Sequence, residues 1–161
     1  MLGVHFAITA KQEKKLLKAA DRDEDEVAAL LGDLEEEWDD ESMKVDTDKA
    51  WDAVHRCLTG SLDADAGEYP LTHAVLGGRD LLEEDYYAVY VTADEVRDVA
   101  AALRDLDRAW LRERFDAFDK SDYAGAGDDQ DFEYTWSNFA DIQAFYDRAA
   151  AAGRAVVFTA M

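Results

Sequence analysis

Three strand-like segments lie at the two ends and in the middle of the chain, and helical patterns separate them. Residues 3–9, 86–91 and 154–160 are rich in β-branched and aromatic residues, which favours β-strands. This arrangement predicts the α+β class, with one small mixed sheet of about three strands packed against five or six helices. The chain has 161 residues and no internal repeat, so we expect one domain spanning residues 1–161.

Apolar spacing and capping residues predict where the helices lie. Thr9 with Gln12, and Thr92 with Glu95, have the spacing of capping boxes at two helix starts. Asp23 is placed to begin another helix, whose apolar face runs to Trp38. The helical patterns cover about residues 10–20, 23–38, 48–60, 93–106, 107–118 and 131–151.

The net charge excludes several kinds of partner. The chain has 38 acidic and 17 basic residues, which gives a formal net charge of −21. Such a surface repels phosphate backbones, so we expect no binding to nucleic acid or to anionic membranes. Three explanations of the charge stay open: solubilisation, adaptation to high salt, and recognition of a basic partner such as a nuclease toxin.

Composition also restricts the compartment and the cofactors. No apolar run approaches the roughly 20 residues that a membrane helix needs, and the first residues lack the pattern of a signal peptide. We therefore expect a cytoplasmic protein. The single cysteine, Cys57, excludes an internal disulfide and a cysteine-based zinc site, and we expect its thiol to be buried and inert. The sequence predicts no cofactor and no metal.

One predicted helix carries the residues that most resemble a functional site. In residues 48–60, Trp51, Val54, His55 and Leu58 recur at helical spacing, and Gly60 is the expected end of the helix. A second histidine and a pair of glycines follow in the next segment. The candidate ligand-binding set is Asp46, Asp48, Lys49, Trp51, His55, His73, Gly77 and Gly78.

Two interpretations of this set remain open. As a site, its imidazoles and carboxylates suit acid–base chemistry, Lys49 and the helix N-terminus suit an anion, and Trp51 suits stacking on a ligand ring. As packing, Trp51 and His55 are core residues, with a ring N–H bonded to a backbone carbonyl. Adjacent glycines favour a turn with positive φ or a close backbone approach. We favour the packing interpretation for His55 and for His73, and expect His5 to be structural.

The order and spacing of several segments resemble a known family. These segments are MLGVHFAIT, VDTDKAWDAVHRCLTG, PLTHAVLGG, TADEVRDVAAAL and FYDRAAAAGRAVVFTAM. Together they resemble the YfbM-like family of small bacterial domains of unknown function, over nearly the whole chain. The resemblance implies a single α+β domain in a cytoplasmic bacterial protein, and it implies no activity. The chain departs from the family in its heavy acidity and in a shortened region at residues 121–130.

Two functions of different classes follow from these observations. The first is a non-catalytic binding protein whose acidic surface engages a basic protein, as an immunity protein or an antitoxin does. No serine lies in a nucleophile-elbow pattern, which favours this hypothesis. The alternative is a small-molecule-binding protein or an enzyme, with its site around Trp51, His55, His73 and the Gly77–Gly78 turn.

Overall fold

Groups of one to three α-helices separate the strands, except the third and the fourth, in the computed structural model, which describes residues 1–63, 65–83 and 86–161. The strands are β1 (Gly3–Ile8), β2 (Lys44–Asp46), β3 (Arg79–Asp80), β4 (Tyr87–Val91) and β5 (Ala155–Ala160). The helices are α1 (Ala10–Ala20), α2 (Glu24–Glu37), α3 (Ala50–Thr59), α4 (Ala93–Arg104), α5 (Arg108–Ala117) and α6 (Asp129–Ala151). The order along the chain is β1-α1-α2-β2-α3-β3-β4-α4-α5-α6-β5. Two short 3₁₀ turns cover Glu41–Met43 and Leu71–Ala74.

The strands form one antiparallel sheet with the order β2-β1-β5-β4-β3. The two ends of the chain meet at its centre, where β1 and β5 pair along their full length from Gly3 opposite Ala160 to Ile8 opposite Ala155. β4 lies on the other side of β5, with Tyr87 opposite Ala160. The two outer strands, β2 and β3, are the shortest.

The predicted α+β class is confirmed, while the sheet differs from the prediction in two details. In the part of the chain that the structure describes, it has five strands instead of about three, and each pairing is antiparallel, so the sheet is not mixed. The two strands that sequence analysis missed contain three and two residues, β2 and β3. Segments this short cannot display a two-residue alternation, and only their pairing with β1 and β4 makes them strands.

Both faces of the central strands are covered by helices. On β1, Phe6 and Ile8 pack with apolar residues of α1 and α2, whereas Ala7 faces a larger core that α3, α4, α5 and α6 complete. All six residues of β5 are buried. This explains why the two strands read as nearly continuous apolar runs instead of alternating with polar residues.

Several helix boundaries follow the capping signals. Both predicted capping boxes are formed at the starts of α1 and α4, and Asp23 caps α2. Gly60 ends α3 with a left-handed φ of 95°. Trp38 lies just beyond α2 in an extended conformation, instead of on the helix as predicted, and its ring packs on Phe6. None of the helices in the described ranges is both long enough and apolar enough to cross a membrane.

Two glycine substitutions should change stability in opposite directions. A Cβ atom at Gly3 would lie 2.5 Å from Cδ1 of Trp51 and 3.0 Å from Phe158, so Gly3→Ala should destabilise the protein by roughly 1–3 kcal/mol. A Cβ atom at Gly32, inside α2, meets nothing within 4 Å, so Gly32→Ala should stabilise it by roughly 0.5–1 kcal/mol. Urea unfolding measures both changes. Equal effects of the two substitutions would contradict the close packing of Trp51 on β1.

Candidate functional site

The turn before α3 is held by Asp46, Asp48 and a tyrosine from α6. The Asp46 carboxylate accepts a hydrogen bond from the backbone N–H of Asp48, whose φ is +48°. The hydroxyl of Tyr134 donates to the Asp48 carboxylate and accepts from the backbone N–H of Lys49. The two aspartates therefore organise a turn. The Asp48 carboxylate also places a negative charge at this helix N-terminus, which opposes the anion site considered for Lys49.

Trp51 packs over the end of the sheet and is only 6% exposed. Its ring contacts Phe158 of β5 and Tyr87 of β4, with centroid separations of 5.9 and 5.5 Å. Its indole N–H donates to the backbone carbonyl of Met1 at 3.1 Å. Both the ring and its polar atom are therefore engaged within the protein, as the packing interpretation predicts.

His55 is enclosed in the core, with 4% of its surface exposed. Burial lowers its pKa to about 4, and the neighbouring Arg56 guanidinium lowers it further, so the ring is neutral at pH 7. Its Nδ1 atom is buried without a hydrogen-bond partner within the described residues. The expected bond from a ring nitrogen to a carbonyl is instead seen at His5, whose Nε2 lies 2.7 Å from the Ala74 oxygen.

His73 occupies a different environment at the surface. Its Nδ1 is hydrogen-bonded to the Thr72 hydroxyl at 2.8 Å, and its Nε2 lies 3.2 Å from the Glu95 carboxylate. The Tyr69 ring stands edge-on to the imidazole, and the Tyr69 hydroxyl donates to Asp98 at 2.6 Å. This hydrogen bond raises the pKa of Tyr69 to about 12. We call these five residues the His73 cluster.

Gly77 is explained by the close approach of neighbouring atoms, and Gly78 by its backbone conformation. The Gly77 N–H donates to the Thr72 carbonyl, and a Cβ atom at Gly77 would lie 2.2 Å from that oxygen and 2.9 Å from Nδ1 of His73. Gly78 has a φ of +124°, which other residues rarely adopt. The turn thus packs directly against the His73 cluster.

The predicted set therefore divides into two groups. One lies in α3 and the turn before it, and the other lies in the segment from His73 to Gly78. Gly77 contacts His73, whereas Trp51 and His55 lie inside α3. Within the described ranges, no hydrogen bond or ring contact joins His73 to either of them. The partners of His73, namely Tyr69, Thr72, Glu95 and Asp98, are not predicted from the sequence. Glu95 was predicted only as a capping residue, and its second carboxylate oxygen remains available to the imidazole.

Cys57 is buried, and burial raises its pKa to about 12, so the thiol is protonated and unreactive at pH 7, as predicted. Across the residues that the structure describes, no group of three or more His, Cys, Asp or Glu side chains could hold a metal ion.

A cleft of about 400 Å³ opens on the opposite side of the sheet, between α1, α2 and β1. We call it the hairpin cleft, after the consecutive helices α1 and α2, which pack against each other as a helical hairpin. Its volume falls in the range of small ligand pockets. None of the residues of the predicted set lines it. Its lining is Ile8, Thr9, Gln12, Lys15, Leu16, Leu30, Leu31, Asp33, Leu34, Glu37, Trp38, Asp39, Asp40 and Arg154.

Comparison with known proteins decides the family. The sequence matches the family described as a domain of unknown function, DUF1877, over residues 1–159. The chain belongs to this family. It is also similar to a solved structure, that of the protein of unknown function YfbM from Escherichia coli, with 25% identity, a TM-score of 0.70 and 99% of each chain covered. No curated protein matches the chain.

These findings confirm the YfbM-like resemblance that the sequence segments predicted. The family description assigns no activity to its members. Any function must therefore be argued from the residues of this chain.

The burial of His55 predicts a specific loss of stability in acid. In the unfolded chain this histidine has a pKa near 6.5, and in the folded protein near 4, so only the unfolded state gains a proton between these values. Stability should therefore fall as the pH drops through this window. His55→Leu should remove roughly 2 kcal/mol of the loss between pH 6.5 and 4.5.

Urea unfolding of the wild type and His55→Leu across this pH range measures the difference. His5, also buried with its pKa lowered to about 4, is unchanged in both proteins and so cancels in the comparison. Parallel stability curves for the two proteins would show that His55 is not held neutral in the core.

Proposed function

We propose that the protein is a non-catalytic, cytoplasmic binding domain that engages a basic protein partner through an acidic surface, in the manner of an immunity protein or an antitoxin. The observation that carries the proposal is the concentration of charge in residues 21–41, which we call the acidic segment. This segment holds 12 of the 38 acidic side chains and one arginine, a net charge of −11 out of −21. It consists of α2 with the turns on either side.

The fold exposes these carboxylates to solvent. α2 buries Val27 and Leu31 against the second core and leaves its other faces in water. The exposed acidic residues of the segment are Asp21, Asp23, Glu24, Asp25, Asp33, Glu35, Glu36, Glu37, Asp39 and Glu41. A dense array of one sign produces a local field that attracts cationic surfaces and speeds their encounter.

Little of this charge is neutralised within the protein. Among the described residues, the segment makes two ion pairs, Arg22 with Glu26 and Arg79 with Asp21. Helix α1 precedes the segment and carries four lysines, yet none of them lies within 4 Å of a carboxylate in the described ranges. The unpaired carboxylates are therefore available to an external cation, which favours recognition over mutual compensation.

Of the residues predicted from the sequence, only those of the His73 cluster still support a second candidate function, small-molecule binding or catalysis. Its half-buried imidazole lies between a hydroxyl and a carboxylate, an arrangement that suits proton transfer. A thermal-shift screen of the wild type and His73→Ala tests it. A ligand that raises the melting temperature of the wild type, and not that of the variant, would support this second function.

The proposed function predicts that four neutralising substitutions in the acidic segment weaken binding to a cationic probe. In Asp33→Asn, Glu36→Gln, Glu37→Gln and Asp39→Asn combined, affinity for a lysine-rich peptide should fall about tenfold or more. Each exposed ion pair contributes roughly 0.2–1 kcal/mol, and the four add. Isothermal titration calorimetry at low and high salt measures the change.

A matched control places four neutralisations elsewhere, at exposed residues that lie outside the ion pairs of the described residues: Glu68→Gln, Asp105→Asn, Glu113→Gln and Asp141→Asn. This variant has the same net charge as the first one and should bind nearly as well as the wild type. Equal losses in both variants would mean that total charge, and not the acidic segment, governs binding. Binding that does not respond to salt would contradict the electrostatic mechanism.

A further inference from the structure

The floor of the hairpin cleft is apolar and comes from three elements. Ile8 of β1, Leu16 of α1 and Leu31 of α2 are buried at its base. Leu30, Leu34 and Trp38 are only partly buried and form its walls. The cleft therefore presents apolar surface that the fold itself leaves incompletely covered, and an apolar group entering it would be removed from water on several sides.

The Trp38 wall is held in place before any ligand arrives. Its indole N–H donates to the Asp40 carbonyl at 2.7 Å, and its ring lies edge-on to Phe6, with the centroids 5.1 Å apart. The side chain is thus fixed at both its polar and its apolar ends. A wall fixed in this way needs little reordering on binding, which is the property of an anchor pocket.

The rim of the cleft is more negative than positive. Four carboxylates line it, against two cations, Lys15 and Arg154. Arg154 already donates to the Ala7 carbonyl at 3.0 Å. Hydrogen bonds from Ser42 lower the pKa of Asp40, and the charge of Arg154 lowers it further. The carboxylates of Asp33, Glu37 and Asp39 belong to the acidic segment and make no ion pair within the described residues. The pocket and the acidic segment are therefore one continuous surface.

We propose that the hairpin cleft is the anchor site of this surface: it takes one large aliphatic or aromatic side chain from a segment of the partner that carries lysines or arginines on both sides. This inference rests on the proposed function and names the recognition element of the partner. Protein interfaces concentrate affinity in a central desolvated pocket surrounded by polar contacts. Here the apolar floor supplies the pocket, and the carboxylates supply the surrounding charge.

Two synthetic peptides test the proposal on the full chain. Both are rich in lysine and differ only at the central residue, which is leucine in one and alanine in the other. The leucine peptide should bind about tenfold more tightly, because burial of its side chain adds to the electrostatic attraction that both peptides share. A third peptide, with the leucine flanked by glutamates, should not bind.

A variant that narrows the cleft is the matched control. Leu34→Trp places a larger side chain at the half-buried wall and leaves every carboxylate of the rim in place. It should bind the leucine and alanine peptides equally, at the affinity that the wild type shows for alanine. Circular dichroism and thermal unfolding check that this variant is folded, and the comparison of peptides on the wild type stands without it.

The outcomes separate the inference from the function on which it rests. If both lysine-rich peptides bind the wild type equally and respond to salt, the anchor is wrong and the acidic surface stands. If neither binds, both proposals are overturned. If the leucine peptide keeps its advantage in Leu34→Trp, the apolar side chain binds elsewhere, and the assignment of the hairpin cleft is wrong.

Discussion

The pairing of β1 with β5 is the constraint on which the other elements depend. The two strands come from opposite ends of the sequence and form the centre of the sheet, covered on both faces. One face is buried by α3, α4, α5 and α6, and the other by the hairpin of α1 and α2. The hairpin covers only a small core of its own, so the cleft beside it is left open. The central pairing thus determines where the acidic segment and its pocket lie.

Because helices cover both faces of the sheet, the Trp51 and His55 motif of α3 is part of the protein core. Trp51 and His55 lie on the helix that faces the larger core, where Gly3 leaves room for the indole ring. A tryptophan and a histidine four residues apart are compatible with either a ligand site or an interior. The close packing of the indole depends on a glycine about fifty positions away in the sequence, and no local pattern includes it.

The parts of the fold that the sequence predicts are those set by local chemistry. The capping boxes at Thr9 and Thr92 predict where two helices begin, and the structure contains both capping boxes at the predicted helix starts. The long apolar segments that became β1 and β5 were recognisable because burial on both faces removes polar residues from them. Strands β2 and β3 were not recognisable, since pairing with a neighbour, and not their own composition, makes them strands.

The candidate sites likewise depend on contacts that no local sequence pattern contains. The partner of His73 is Glu95, which sequence analysis identified for its bond to the Thr92 backbone and not for its second oxygen. Trp38 was expected on the apolar face of α2, yet it lies past the helix end and becomes the wall of the cleft. In both cases the functional candidate depends on a tertiary contact between segments that are distant in sequence.

We propose that recognition occurs on the hairpin face of the sheet and not on the face that contains α3. Chemical-shift mapping of the uniformly labelled protein with the lysine-rich leucine peptide tests this most directly. The amides that shift should lie in α1, in the acidic segment and at Arg154, with the indole N–H of Trp38 among the largest changes. Shifts centred on Trp51, His73 and Gly77, with the hairpin unaffected, would contradict it.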